Sequence, residues 1–117
     1  FPNAQLKYKL RSEQTYNQVT AMEVDVLQGG AGAHMHTKVD ELFTILEGQM
    51  QFAINDTQFC AKAGDYVYIP RFHSQAFRVR NPKSDKKPVR FELLIFPATV
   101  EGFFDEMAIY VIQGQNN

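Results

Sequence analysis

The sequence predicts an all-β fold, a sandwich or barrel of short strands, on two observations. Segments rich in Val, Ile, Phe, Tyr and Thr recur along the chain, and Gly, Pro, Asn and Asp punctuate them at short intervals. Strands are expected at 19–27, 33–35, 42–47, 50–54, 58–61, 66–69, 74–79 and 90–96, and about eight strands so spaced suit two packed sheets or a closed barrel. The turn signals Gly29-Gly30-Ala31-Gly32, Glu47-Gly48-Gln49 and Asn55-Asp56 favour hairpins over helical crossovers. Residues 81–88, Asn-Pro-Lys-Ser-Asp-Lys-Lys-Pro, read as an exposed loop. Only 100–108 reads as a helix, with Phe103, Phe104 and Met107 on one side, and it is expected to lid the sheets.

Composition bounds the function. A chain of 117 residues, 44% hydrophobic and 13% aromatic, can close one core but not two. Twelve Lys plus Arg against 13 Asp plus Glu leave a net charge of -1. Without a basic field, nucleic acid and anionic membrane surfaces are poor partners. No run of about 18 apolar residues is present to make a spanning helix. Cys60 is the only cysteine, so the fold must stand on packing or on a bound metal rather than on an internal disulfide. The compartment stays open. A lone cysteine suits the cytoplasm, which is favoured, whereas the Asn55-Asp56-Thr57 sequon and a chain beginning at Phe1 rather than Met suit export.

The chemistry is concentrated in three histidines. His34 and His36 are spaced i, i+2, which points two side chains to one face of a strand, and a short turn over Thr37 to Asp40 can return Glu41 to the same point. Two imidazoles and a carboxylate make a mixed nitrogen and oxygen donor set. It suits one divalent transition metal ion, Fe, Mn, Ni, Cu or Zn, and disfavours Ca or Mg. Taken alone, a His-x-His pair is more often a surface or core feature than a ligand pair. The third histidine, His73, follows Pro70-Arg71-Phe72.

The wider frame strengthens the metal interpretation. His34-x-His36, four residues, Glu41, six residues, Gly48 resembles the first motif of the cupin superfamily, departing only at the leading glycine, which falls on Gln28 with Gly29 one place later. Gly64-Asp65-Tyr66-Val67-Tyr68-Ile69-Pro70 resembles the first half of the second motif. Its second half departs: without a gap, the inner glycine falls on Phe72, the fourth metal ligand on Gln75 and the final asparagine on Val79, while Ala76-Phe77 keeps the family ending. Phe96-Pro97-Ala98-Thr99-Val100-Glu101-Gly102-Phe103-Phe104 is similar to the ending of small quercetin-dioxygenase-like cupins.

This resemblance implies a single cupin domain over 1–117, with its motifs at 29–48 and 64–79. The implied fold is a double-stranded β-helix, or jelly-roll barrel, with a short C-terminal helix. It also implies a homodimer and a metal in the barrel mouth held by His34, His36, Glu41 and a fourth ligand. Register favours Gln75 for that place, since Gln is a known substitution there, and donor chemistry favours His73; residues 73 and 75 share strand parity. A quercetinase-like role would make Glu41 a general base, with His73 the alternative.

Strand parity lists the expected pocket walls as Phe43 and Ile45 beside Glu41, Phe77 beside Gln75, and Phe52 on the next strand. An apolar, aromatic pocket with a few polar groups suits a small, flat organic ligand, although each aromatic could equally be ordinary core. Tyr68 and Arg71 are either rim groups that orient a substrate or an exposed strand end. The function expected is that of a dioxygenase-like oxidoreductase acting on an aromatic or enolic small molecule. The same scaffold also hosts isomerases, lyases, hydrolases and binding modules without turnover, so these alternatives stand.

Overall fold

The computed structural model describes residues 4–98. The expected helix at 100–108 lies outside the described residues, as does everything from Thr99 onward. Among the described residues nine strands run in chain order: β1 (Ala4–Leu10), β2 (Thr20–Val26), β3 (Gly30–Met35), β4 (Asp40–Glu47), β5 (Gln49–Ile54), β6 (Thr57–Lys62), β7 (Tyr66–Ile69), β8 (Ser74–Arg80) and β9 (Val89–Phe96). They form a five-stranded sheet, order β1-β2-β9-β4-β7, and a four-stranded sheet, order β3-β8-β5-β6. The pairings are antiparallel. Among the described residues no helix is long and apolar enough to cross a membrane.

Alternation along the strands builds the core. Met22, Val24 and Val26 of β2, Phe91, Leu93 and Ile95 of β9, and Phe43 and Ile45 of β4 are buried from one sheet; Met50, Phe52, Phe77 and Val79 meet them from the other. At about 25 cal/mol per Å² of apolar surface removed from water, this interlayer is the main source of stability. The outward positions are mixed: Leu42 of β4 faces Leu94 of β9, while Arg90 Nε donates to Asp25 Oδ1 at 2.8 Å and lies 3.4 Å from Glu23 Oε1.

β1 was not expected from the strand pattern. It alternates Leu6, Tyr8 and Leu10 with Lys7 and Lys9; among the described residues it pairs only with β2, at the end of its sheet, and Ala4 alone of its residues is buried. β3 begins three residues before its expected start, inside the stretch expected as a turn. Gly30 explains how: a β-carbon there would collide with the Phe77 carbonyl oxygen, so glycine lets β3 lie close against β8. Of the three turn signals only Asn55-Asp56 closes a hairpin, β5 with β6, whereas Gly29–Gly32 and Glu47–Gln49 lead from one sheet to the other. Gly48 takes φ 84° between β4 and β5, and Asn55 takes φ 52° between β5 and β6, a left-handed conformation that Asn tolerates. The loop at 81–88 exposes its three lysines and is closed by buried Asn81, whose Nδ2 donates to the Pro88 carbonyl at 3.0 Å.

Candidate metal centre

A β-bulge sets the first ligands. Ala31 lies opposite Phe77, but His34 lies opposite Gln75, so β3 takes three steps where β8 takes two. Plain alternation from Ala31, which packs against the core, would turn His34 outward; the extra residue returns it to the inner face shared with Gln75. His34 Nδ1 is 2.7 Å from the Gly32 carbonyl oxygen. A carbonyl only accepts, so Nδ1 carries the proton and the neutral ring keeps its Nε2 lone pair for an ion. His36 follows the end of β3, and its ring meets that of His34 edge-on with centroids 5.1 Å apart.

Glu41 is the second residue of β4, paired with Ile69 of β7 and Ile95 of β9, and is 4% exposed. Its Oε1 lies 3.0 Å from His36 Nε2 and accepts a hydrogen bond from Gln75 Nε2 at 2.8 Å. The bond from His36 to Glu41 raises the imidazole pKa above its ordinary value, against the opposing effect of burial and with the carboxylate charge adding to the rise. Gln75 is 2% exposed, and its Oε1 has no hydrogen-bond partner among the described residues. His34, His36 and Glu41 each offer one ligand atom, all within 4.8 Å of one another. Donors about 2.1 Å from a shared ion can be at most about 4.2 Å apart, so a movement of a few tenths of an ångström closes the set. The residues present fit a metal ion.

His73 stands outside this group of three. It lies between β7 and β8, with Nδ1 3.2 Å from the Arg71 carbonyl oxygen. The expected pocket residues are all buried. Phe43 meets Phe52 and Phe77 edge-on at centroid distances of 5.2 and 5.6 Å, and Ile45 is 1% exposed. Phe43 and Phe77 follow Glu41 and Gln75 by two residues on the same faces, so this aromatic layer lies one step deeper in the barrel than the polar group. Of the open depressions that lie elsewhere among the described residues, one of about 650 Å³ runs along Gln28–Gly32 and Phe77–Val79, and one of about 390 Å³ lies at Ile54, Phe59, Tyr66 and Tyr68. Neither is lined by His34, His36 or Glu41.

Sequence reasoning missed two residues beside the site. Asp40 accepts hydrogen bonds at Oδ1 from the Arg71 backbone N–H at 2.7 Å and from Nε at 3.0 Å, and at Oδ2 from Nη2 at 3.2 Å. The Arg71 side chain and backbone hold the Asp40 carboxyl down at about 2. Arg71 is therefore engaged by Asp40, on the side of β4 opposite to Glu41. Phe72 is the second: it takes φ 68°, is 64% exposed, and donates its backbone N–H to the His36 carbonyl at 2.8 Å. A β-carbon in that region costs on the order of 1–2 kcal/mol. The signal was available, since Phe72 stands where the motif has a glycine.

The family model described as a cupin domain matches residues 22–96. Among solved structures, KdgF from Halomonas sp. aligns with TM-score 0.71 at 15% identity, over 86% of this chain and 84% of that one. The cupin domain of Schizosaccharomyces pombe Cnp3 aligns with TM-score 0.69 at 17% identity, over 91% and 73%. A predicted oxalate decarboxylase from Thermotoga maritima aligns with TM-score 0.68 at 22% identity, over 80% of each chain. At these identities the likeness is one of fold. Among curated proteins none matches the chain in sequence.

Proposed function

The chain belongs to the cupin family, and from that premise we propose that it is a metal-dependent, dioxygenase-like oxidoreductase acting on a small aromatic or enolic molecule. One observation carries the metal assignment: the buried Oε1 of Gln75 has no hydrogen-bond partner among the described residues and lies on the amide that already touches Glu41. An unpaired buried carbonyl costs about 1–3 kcal/mol, a cost that a cation offsets. His34, His36 and Glu41 would hold the ion, with Gln75 as the fourth donor and His73 as the less supported alternative. Imidazole with carboxylate and amide oxygen suits Fe, Mn, Ni, Cu or Zn.

When bound, such an ion supplies Lewis acidity that stabilises an enolate or phenolate and, if redox-active, favours its reaction with O2. The chain's own residues do the rest. Glu41, held between His36 and Gln75, is oriented to accept the proton that the substrate hydroxyl loses. His73, beside the mouth, is the alternative base. The layer of Phe43, Phe52 and Phe77, backed by Ile45, limits how deep a ligand can enter and keeps water from below.

A second reading, a non-oxidative cupin or a small-molecule binding module, draws on Gln75 itself: a neutral amide is a weaker donor than a histidine, which suits a site that binds without turnover. Elemental analysis of protein purified without chelator tests the metal assignment. Near-equimolar metal is expected in the wild type and loss in Glu41→Ala; loss in Gln75→Ala, but not in His73→Ala, identifies the fourth donor. Oxygen uptake with flavonols, β-diketones and catechols then separates the two readings, since only the first consumes O2. Among the described residues β1, β3, β6 and β7 are edge strands, which favours a homodimer, and light scattering in solution would detect it.

A further inference from the structure

The connection between β7 and β8, residues 70–73, crosses from one sheet to the other beside the candidate ligands. β7 ends at Ile69, opposite Glu41, and β8 opens at Ser74, one place before Gln75, which faces His34. Two latches fix this crossing. Arg71 is bound to Asp40 through its backbone and its guanidinium, and the Phe72 N–H is bound to the carbonyl of His36. At the second latch the backbone takes φ 68°, yet the residue there is phenylalanine, and it is 64% exposed.

The fold has little use for a phenyl ring at this position. So exposed a ring adds little to the core, and glycine or asparagine would adopt the same backbone with less strain. Strain kept without a packing return points to use at the site. We propose that Phe72 is a specificity-determining residue: at the mouth beside His36, its ring stacks on a planar aromatic ligand and selects it over an aliphatic ligand of equal chelating power. The inference rests on the metal assignment above and deepens it by naming the ligand class.

The test uses zinc-loaded protein and two bidentate probes: 4-nitrocatechol, whose visible absorbance changes on chelation, and acetohydroxamate, an aliphatic chelator, measured by competition. Zinc affinity is titrated first. An aromatic pair typically adds enough affinity that Phe72→Gly and Phe72→Asn should weaken 4-nitrocatechol about three- to tenfold, while acetohydroxamate and zinc stay within about twofold of wild type. Phe72→Tyr, which keeps the ring, should retain both affinities. Since Gly and Asn both tolerate the left-handed backbone, these variants should melt no lower than wild type. Equal 4-nitrocatechol affinity in all four proteins, or equal losses for both chelators, overturns the role of Phe72 and leaves the metal site standing. Failure of the wild type to take up zinc overturns the metal assignment and this inference with it.

Discussion

Gln75 donates its side-chain amide to the carboxylate of Glu41 at 2.8 Å, joining a strand of the four-stranded sheet to a strand of the five-stranded one. Both residues are buried, at 2% and 4% exposure, so neither can exchange the other for water. Replacing the amide by a carboxylate tests this dependence. In metal-free protein Gln75→Glu should lose on the order of 3 kcal/mol at pH 8 in urea unfolding, because two buried carboxylates then face each other. Their shared proton makes one folded-state pKa rise, so the loss should shrink as the pH falls.

Metal should stabilise the fold in proportion to its affinity. Protein stripped with chelator should gain about 2.7 kcal/mol on adding an ion at 100 times its dissociation constant, by mass action on the folded state alone. Thermal melts with and without zinc or nickel would read this as a rise in Tm. Glu41→Ala should show no such rise, and an equal rise in that variant would remove Glu41 from the ligand set.

The Asp40 and Arg71 pair predicts a pH signature of its own. The folded-state pKa of Asp40, about 2, lies below its ordinary 3.8. The pair's contribution is therefore present above pH 3.8 and is lost as the pH falls through about 2. Asp40→Asn should melt below wild type near pH 6, and the gap should close between pH 4 and 2. A gap that is constant over this range would assign the loss to packing rather than to charge.

Phe43 tests the aromatic layer. It contacts Phe52, Phe77 and Phe91 at centroid distances of 5.2, 5.6 and 5.5 Å. Phe43→Ala should cost about 3–5 kcal/mol in denaturant unfolding through lost burial and a residual cavity. If the layer also limits ligand depth, this variant should accept larger aromatic chelators than wild type, measured by displacement of 4-nitrocatechol.

Much of this was legible before any coordinates. The segment 66–69 coincides with β7, and 90–96 lies within β9, because β-branched and aromatic residues there alternate between clear turn signals. β1 escaped because its lysines belong to the exposed face of a strand that ends its sheet among the described residues. Spacing and the cupin-like frame around it drew attention to His34, His36 and Glu41, but the face that His34 uses could not be read: a one-residue bulge decides it, and no residue type announces a bulge. Parity left His73 and Gln75 level as ligands because it assumed one continuous strand through both. β8 begins only at Ser74, so His73 belongs to the crossing, with a different orientation. Phe72 was visible as a departure from a glycine position, and only the backbone angle gave that departure a meaning.

Asp40 and Glu41 are consecutive residues of one strand and face opposite ways. The first anchors an arginine on the outside of the barrel, and the second carries the carboxylate of the candidate site within. A substitution at Asp40 would therefore loosen the crossing that carries Arg71 and Phe72 while leaving every candidate donor atom in place. A laboratory search for new specificities could begin on the outside of the barrel, where substitutions disturb the core least.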